Sequence, residues 1–301
     1  MDLSTAQDIR YGSTSVSAVY LGNQKIWPTS HDYSLDYLTL TALGSGNVTI
    51  QIIDHTESST FTTAIDYSTD GTNWTTATVT YGTSVTIPVA NNDKLYFKGN
   101  RNYYKVQTLA YDHLNITADV NHIISGNIMS LFYNTNFAGQ TVIPSGSQGQ
   151  LTHNLYGLFA ENTYLSDASN LIIPATTLTE GCYMSMFGGC TSLTVAPNLP
   201  ATTLGYNYGC YQGMFKGCSS LETAPYLPAS SLVANCYESM FEDCTSLNYV
   251  KARFTTEPSN TYTRDWLSNV SSTGTFVKSQ FANWTNVGTN AVPTGWTIET
   301  F

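Results

Sequence analysis

The sequence predicts a mainly β protein with an N-terminal β-hairpin segment, a β-sandwich, and a short α/β repeat solenoid closed by a C-terminal β cap. Charged residues make up only 11% of the 301 residues, whereas Tyr and Gly are abundant, which is typical of strands and turns. Short alternating segments fill the first 120 residues, and one phrase recurs at a fixed period in the second half, which indicates stacked repeats. We therefore divide the chain at 1–30, 31–122, 123–254 and 255–301.

The N-terminal segment, 1–30, predicts a small hairpin. Ser17–Leu21 and Gln24–Trp27 are short and apolar or β-branched, and Gly22-Asn23 between them is a two-residue turn sequence. Val19–Pro28 resembles N-terminal segments of phage virion proteins, which implies an attachment segment; the alternative is an ordinary hairpin. Its candidate contact residues are Tyr20, Leu21, Gly22, Ile26 and Trp27.

The second segment, 31–122, predicts a β-sandwich of immunoglobulin-like or jelly-roll size. Asp70-Gly71 favours a tight hairpin turn between two Thr-rich segments. The spacing of the strands is typical of two packed antiparallel sheets. The predicted strands are 37–41, 48–52, 65–68, 75–79, 84–88 and 94–98.

The repeats are the clearest feature of the sequence. The phrase Cys-Tyr-x-x-Met-Phe-x-x-Cys-Thr/Ser-Ser-Leu begins at Cys182, returns after 28 residues at Cys210, and returns after 26 more at Cys236. A degenerate copy without cysteines, containing Leu158, Phe159 and Asn162, precedes them. Terminal repeats lose the consensus because their outer side faces water. A second shared phrase lies at Pro174–Leu178, Pro200–Leu204 and Pro228–Leu232.

The spacing inside each repeat predicts one short helix and one short strand. Cys, Met and Cys recur at i, i+4 and i+8, which is one stripe of a helix, and a proline ends the extended piece that follows. On a helix the two cysteines of one repeat lie about 12 Å apart, too far for a disulfide. A linear ladder of thiols does not converge on one metal ion. We therefore expect free thiols in the core, no metal and no cofactor.

The repeat phrase resembles BspA-type leucine-rich repeats, which occur in surface proteins of gut bacteria and in tail or fibre proteins of their phages. The closing segment, with Gly274–Lys278, Trp284 and Val292–Thr297, resembles the usual end of such repeat arrays. The phrase Val19–Pro28 is similar to N-terminal segments of phage virion proteins. The resemblance implies an outward-facing binding role and supplies no catalytic residues.

Composition and charge exclude several partners. A net charge of −10, with 11 basic residues dispersed along the chain, argues against nucleic acid, because phosphate contacts need clustered Lys and Arg. The apolar runs fall short of the roughly 18 residues of a membrane helix. Met1–Ser4 does not begin a secretory signal. We expect assembly in the bacterial cytoplasm and location on a virion, with the bacterial cell surface as the alternative.

Catalysis finds little support in the sequence. The five histidines are dispersed, and the nearest acidic cluster joins Glu222 with Glu238, Glu242 and Asp243. Glu238 and Glu242 are four residues apart on the variable side of the predicted helix, which is typical of a solvated face. Glycosidases need two carboxylates in one cleft, and such a pair would favour a polysaccharide depolymerase.

A binding surface is easier to propose. Positions that vary after the repeat leucine are expected to project from the solenoid, and tyrosines in the connecting loops add ring faces. Tyr and Asn together suit sugars, since rings stack and amides bind hydroxyl groups. The alternative is that the loop tyrosines only cover the edge of the solenoid. The candidate binding residues are Thr194, Glu222, Asn248, Tyr249, Tyr206, Tyr208 and Tyr226.

These observations predict a non-enzymatic phage virion fibre or decoration protein. Its N-terminus would bind other virion proteins, and its repeats would bind a host-surface glycan or protein. We expect a homo-oligomer, with a trimer favoured, and neither nucleic-acid binding nor membrane insertion. The alternatives are a bacterial cell-surface adhesin and a phage-tail depolymerase.

Overall fold

The fold is mainly β, as the sequence predicts. It is seen in a computed structural model that describes residues 37–53, 62–99, 113–132, 137, 139–143, 155–178, 181–205 and 209–301, together with the backbone of four short N-terminal strands. In the described residues, the one regular helical segment is a single 3-10 turn, Ile128–Leu131. No helix in this part of the chain has the length and apolarity needed to cross a membrane.

The N-terminal strands form two small antiparallel pairs. Strand β1, Arg10–Tyr11, pairs with β2, Thr14–Ser15. Strand β3, Val19–Leu21, pairs with β4, Gln24–Trp27. The predicted hairpin is therefore confirmed as backbone pairing.

All six strands predicted for the second segment are present. Three further strands, β11, β12 and β13, extend the sheets beyond the prediction. The strands are β5 Leu38–Ala42, β6 Gly46–Ile53, β7 Thr62–Ser68, β8 Thr75–Thr80, β9 Ser84–Val89, β10 Lys94–Gly99, β11 His113–Ala118, β12 His122–Asn127 and β13 Leu165–Ile172.

These strands form a six-stranded sheet in the order β13-β12-β5-β10-β7-β8 and a three-stranded sheet in the order β11-β6-β9. Inward residues such as Val48, Ile50 and Leu40 belong to one continuous core that also includes the repeats. Strand β12 pairs antiparallel with β5 and parallel with β13. The large sheet thus continues across the predicted boundary between 122 and 123, while the division into domains stays a prediction.

The predicted turn at Asp70-Gly71 is confirmed. The Asp70 carboxylate accepts hydrogen bonds from the N–H groups of Thr72 and Asn73 at 2.8 and 2.7 Å, and from Asn73 Nδ2 at 2.7 Å. The bonds from Asn73 lead those that hold the pKa of Asp70 well below its usual range. Gly71 has φ +75°, a left-handed conformation that glycine adopts without strain.

The predicted helix in each repeat is wrong. In its place, successive turns form what we call a turn ribbon, and five ribbons stack at 155–161, 181–190, 209–218, 234–244 and 259–270. Alternate N–H groups bond within the ribbon and to the next ribbon: Met186 N–H donates to the Tyr183 carbonyl at 3.3 Å, and Phe187 N–H to the Met214 carbonyl at 2.9 Å. Residues such as Ser185, with φ 52°, are left-handed, which an α-helix does not accommodate.

This alternation explains why both sequence stripes are buried. A helix buries one side, but a ribbon held between two neighbours places side chains of both stripes in the core. Phe215 stacks on Phe187 at 5.4 Å and on Phe241 at 5.6 Å between ring centroids, with the rings within 2° of parallel. The Tyr183, Tyr211 and Tyr237 rings form a second column with centroid spacings of 5.8 and 6.0 Å.

The prediction that Glu238 lies on a solvated face is also wrong. Glu238 is buried, and its carboxylate pairs with the Arg264 guanidinium of the next ribbon. Glu242 is half-buried and pairs with Lys216 of the preceding ribbon at 2.8 Å. Both glutamates therefore form ion pairs between neighbouring ribbons, because the turns direct their side chains along the stack.

The degenerate first repeat is confirmed, and a fifth repeat was not predicted. In ribbon one, Leu158 and Phe159 are buried, and the Phe159 ring stacks on Phe187 at 5.5 Å. In ribbon five, Trp266 occupies the position of Met240, since the Phe241 N–H donates to the Trp266 carbonyl at 2.9 Å. This copy cannot be recognised in the sequence because it shares almost no residue with the repeat consensus.

Both ends of the stack are capped. At the first end, Ile116 N–H of β11 donates to the Leu158 carbonyl at 2.8 Å. At the last end, Asp265 N–H donates to Asn290 Oδ1 at 3.0 Å, and Trp266 Nε1 donates to the Ala291 carbonyl at 2.8 Å. The opposite side of the stack ends in a parallel sheet of three strands, β14 Tyr249–Ala252, β15 Thr275–Lys278 and β16 Thr297–Thr300.

The six cysteines are free and buried, which confirms that they lie in the core. In three of them, the thiol donates to a carbonyl of the preceding ribbon: Cys190 to Phe159, Cys218 to Phe187 and Cys244 to Phe215, at 3.0–3.1 Å.

Candidate functional site

Three predicted binding residues form a row on the parallel-strand side of the stack. Thr194, Glu222 and Asn248 occupy equivalent positions in consecutive repeats, and all three are exposed. Asn248 N–H donates to the Glu222 carbonyl at 2.9 Å, and Thr194 N–H donates to the Ser166 carbonyl of the preceding repeat at 3.0 Å. Because these backbone N–H groups bond to the preceding repeat, a ligand at this row would contact the three side chains.

The two described tyrosines of the prediction flank this row. Tyr249 is half-buried in β14 and forms a bridge with Thr223. Tyr226 is 40% exposed, and its ring meets Phe301 edge to face at 6.1 Å. Lys251 Nζ lies 5.6 Å from the Tyr226 centroid and 4.2 Å from the Phe301 centroid. Tyr206 and Tyr208 lie outside the described residues.

The candidate attachment residues fall on the N-terminal hairpin. Tyr20 and Leu21 belong to β3, and Ile26 and Trp27 to β4, with Trp27 opposite Val19. Gly22 lies outside the described residues.

A cleft of about 800 Å³ lies where the six-stranded sheet meets the first repeats. We call it the junction cleft. Its lining includes Tyr37 of a bridge beside β5, with Lys94 and Tyr96 of β10. It also includes Ser169 and Asn170 of β13, with Asn198 and Thr141.

Neighbouring elements fix the walls of this cleft. The Tyr37 ring packs against Trp74 at 4.8 Å and against Phe137 at 5.4 Å. Strand β12 pairs with β5 on one side and with β13 on the other, which fixes the spacing between the tyrosines and Asn170. Asn127 also lines the cleft, and its side-chain oxygen already accepts a hydrogen bond from the Met129 N–H at 2.9 Å.

The junction cleft combines aromatic rings with polar side chains. Two half-buried tyrosine rings offer apolar faces, and Ser169, Asn170 and Asn198 are exposed side chains that can both donate and accept hydrogen bonds. No Asp or Glu is among the described residues that line it. A few polar groups around an apolar cleft are the usual form of a small-ligand site.

Two carboxylates line a second depression, on the turn-ribbon side of the stack, but they are far apart. Glu161 lies in ribbon one and Asp243 in ribbon four, so they are separated by three ribbon steps of 5.4–5.6 Å. This exceeds the separation of about 10 Å at most that glycosidases use. No group of three or more His, Cys, Asp or Glu side chains in the described ranges could hold a metal ion.

Sequence reasoning missed the junction cleft because its residues come from strands that are far apart in the chain. Tyr37, Lys94 and Tyr96 carry no local motif. Asn170 and Asn198 do carry one, because they lie 28 residues apart at the same repeat position, as does Tyr226 after a further 28 residues. Extending the alignment of variable positions by three residues beyond the position of Tyr249 would have found both asparagines.

Comparison with known proteins identifies no relative. No protein-family model matches the chain, and no significant match was found among the curated proteins or the solved structures.

Proposed function

We propose that this protein is a non-enzymatic virion fibre or decoration protein that binds host-surface glycan through its repeat-containing half. The N-terminal hairpin with Tyr20, Leu21, Ile26 and Trp27 is the attachment segment in this proposal. The sheets form a β-sandwich spacer, and the five ribbons with their parallel bridges form a solenoid of the leucine-rich-repeat type.

The observation that carries the proposal is the junction cleft. Its Tyr37 and Tyr96 rings line the same cleft as the amides of Asn170 and Asn198, which suits the apolar faces and hydroxyl groups of a sugar. The row Thr194–Glu222–Asn248 lies on the side of the repeats to which Asn170 and Asn198 also contribute. A glycan bound in the cleft would therefore be able to continue along this row.

The direct test is binding of the purified protein to a glycan array, with Tyr96→Ala and Asn170→Ala as variants. We expect each to weaken binding at least tenfold, because each removes a ring face or an amide from the cleft. Tyr81→Ala is the matched control, since Tyr81 is 40% exposed in the turn between β8 and β9, away from the cleft. Wild-type protein that binds no glycan would contradict the proposal.

Oligomeric state and reaction are tested in the same samples. Light scattering of the full chain is expected to give the mass of a trimer, the form favoured for a fibre. The length of a bound polysaccharide is expected to stay unchanged on incubation. Shortening of the polymer would replace the proposal with a depolymerase, and a strict monomer would contradict the trimer.

A further inference from the structure

The depression on the turn-ribbon side is a groove that the junction cleft does not reach. It has a volume of about 540 Å³ and runs across ribbons one to four. We call it the ribbon groove. Its lining includes Glu161, Lys216 and Asp243, the glycines Gly189 and Gly217, which we call its floor, and residues of β6 and β11.

The fold does not require glycine at the centre of this floor. Gly217 has φ +75°, but Asp243 and Asn269 hold the same position in ribbons four and five with φ 62° and 58°. A Cβ at Gly217 would meet its nearest atom, the Gly189 Cα, at an ordinary contact distance of 3.6 Å. Asp and Asn adopt this conformation in the next two ribbons, and there is space for a Cβ at Gly217, so the absence of a side chain there keeps the groove open.

The peptide groups of the floor are already hydrogen-bonded. Gly189 N–H donates to the Lys216 carbonyl at 2.7 Å, and Gly217 N–H donates to the Glu242 carbonyl at 2.8 Å. Their carbonyls accept from Thr191 and Ser219 at 2.8 Å. A peptide strand that added to this surface would find no backbone partners at these glycines. Gly217 presents its Cα without a covering side chain, and a sugar ring can lie there.

The walls offer acceptors for hydroxyl and amino groups. Lys216 is already paired with Glu242, whereas the Asp243 carboxylate accepts from a neutral donor, Asn269 Nδ2, at 2.8 Å. The Glu161 carboxylate lies over Gly189, where an added Cβ would come within 2.6 Å of it. A polyanion would meet these carboxylates at both ends of the groove, and their repulsion disfavours it.

The spacing of the stack completes the argument. Consecutive ribbons are 5.4–5.6 Å apart, as measured between stacked phenylalanine rings, which is close to the length of one sugar unit in an extended polysaccharide. We infer that the ribbon groove is a second glycan site, which takes an extended neutral or amine-bearing polysaccharide with about one sugar per ribbon. This inference rests on the proposed glycan-binding function and adds a separate site and a ligand class to it.

The test uses the full chain with Gly217→Asn, which fills the groove with the residue that Asn269 already places in the same backbone conformation. The probes are neutral cello-oligosaccharides and deacetylated, amine-bearing chito-oligosaccharides of increasing length, with polygalacturonate as the polyanion. Isothermal titration calorimetry measures the binding of each. We expect affinity to rise with oligosaccharide length over the first few sugars, and Gly217→Asn to lower it at least tenfold. Glu161→Gln is expected to weaken chito-oligosaccharide binding severalfold.

Gly82→Asn is the matched control, because Gly82 also has φ +75° and an added Cβ there meets no atom within 4 Å. If Gly217→Asn binds the oligosaccharides as the wild type does while Tyr96→Ala does not, the ribbon groove is overturned and the junction cleft stands. If the wild type binds none of these oligosaccharides and also binds no glycan on the array, both the ribbon groove and the proposed glycan-binding function are overturned. Preference for polygalacturonate would overturn the ligand class. Should Gly217→Asn lose its thermal transition, unchanged binding by Glu161→Gln would overturn the inference.

Discussion

At the scale of single residues, the tyrosine column is the least expected feature of the core. Tyr183, Tyr211 and Tyr237 are almost completely buried, and their hydroxyl groups have no hydrogen-bond partner among the described residues. A buried polar group without a partner destabilises the folded state. The rings themselves contribute through burial and stacking.

Tyr211→Phe is therefore expected to stabilise the protein by about 1 kcal/mol, because it removes an unpaired hydroxyl and keeps the stacked ring. Chemical denaturation followed by fluorescence measures the change. Tyr211→Leu is the control that removes the stacking and should destabilise. A loss of stability in Tyr211→Phe would contradict the prediction and identify a partner for the hydroxyl.

The buried thiols make stability depend on pH above 9. Burial raises the pKa of Cys210, Cys236 and Cys244 from the ordinary value of 9.0 to about 12. In the unfolded chain these thiols ionise near pH 9, while in the fold they stay protonated. The contribution of these thiols to the free energy of unfolding is therefore complete below pH 9. Above pH 9 it falls by about 1.4 kcal/mol per pH unit for each thiol, until about pH 12.

Denaturation series at pH 8, 9 and 10 measure this slope. Cys244→Val is the matched variant, because Val270 already fills the same column position in ribbon five. Cys244→Val should reduce the fall in the free energy of unfolding with pH by the contribution of one thiol. Equal stability at pH 8 and pH 10 would show that the thiols are accessible.

At the scale of elements, the turn ribbon exists only as part of a stack. Half of its N–H groups bond to the next ribbon, so an isolated ribbon would leave them without protein partners. The end ribbons need substitutes for a neighbour. Asn162 supplies one at the first end: its Oδ1 accepts from Ala118 N–H at 3.3 Å, and its Nδ2 donates to the Ile116 carbonyl at 3.3 Å.

Asn162→Ala is expected to destabilise the protein by about 2 kcal/mol, since it leaves buried groups of β11 and His122 without this partner. Hydrogen exchange should show lost protection in β11 and ribbon one before the central ribbons. Cys218→Ala, two ribbons further in the same column, is the control, because its thiol bonds to ribbon two and not to ribbon one. Uniform loss of protection across all ribbons would contradict the capping role.

At the scale of the whole molecule, the stack depends on its C-terminal cap. Asn290 and Ala291 cover the open side of ribbon five. An uncovered ribbon edge carries a ladder of unpaired groups that a second molecule can complete, as an edge strand does.

A chain ending at residue 285 is therefore expected to associate end to end and to form larger species than the full chain at equal concentration. Size-exclusion chromatography with light scattering compares the two. Asn290→Ala should show a weaker form of the same effect. Equal masses for the truncated and full chains would contradict the capping argument.

The sequence by itself determined the strands, the hairpin turns, the repeats and the burial of their consensus residues. These depend on local chemistry: β-branched alternation for β5 to β10, Asp70-Gly71 for a turn, and a recurring Cys-Tyr-x-x-Met-Phe phrase for the core. It also placed Thr194, Glu222 and Asn248 in one row, because a fixed period aligns equivalent positions.

Only the tertiary structure decided the form of the repeat and the location of the clefts. A period of four fits both an α-helix and a ribbon of turns, and the choice depends on bonds to the neighbouring ribbon, such as Phe187 N–H to the Met214 carbonyl. Those bonds join residues 25 to 27 positions apart, so no local pattern reveals them. For the same reason, Tyr37 and Asn170 line one cleft, and Glu161 and Asp243 line one groove, only when the strands and ribbons have been stacked.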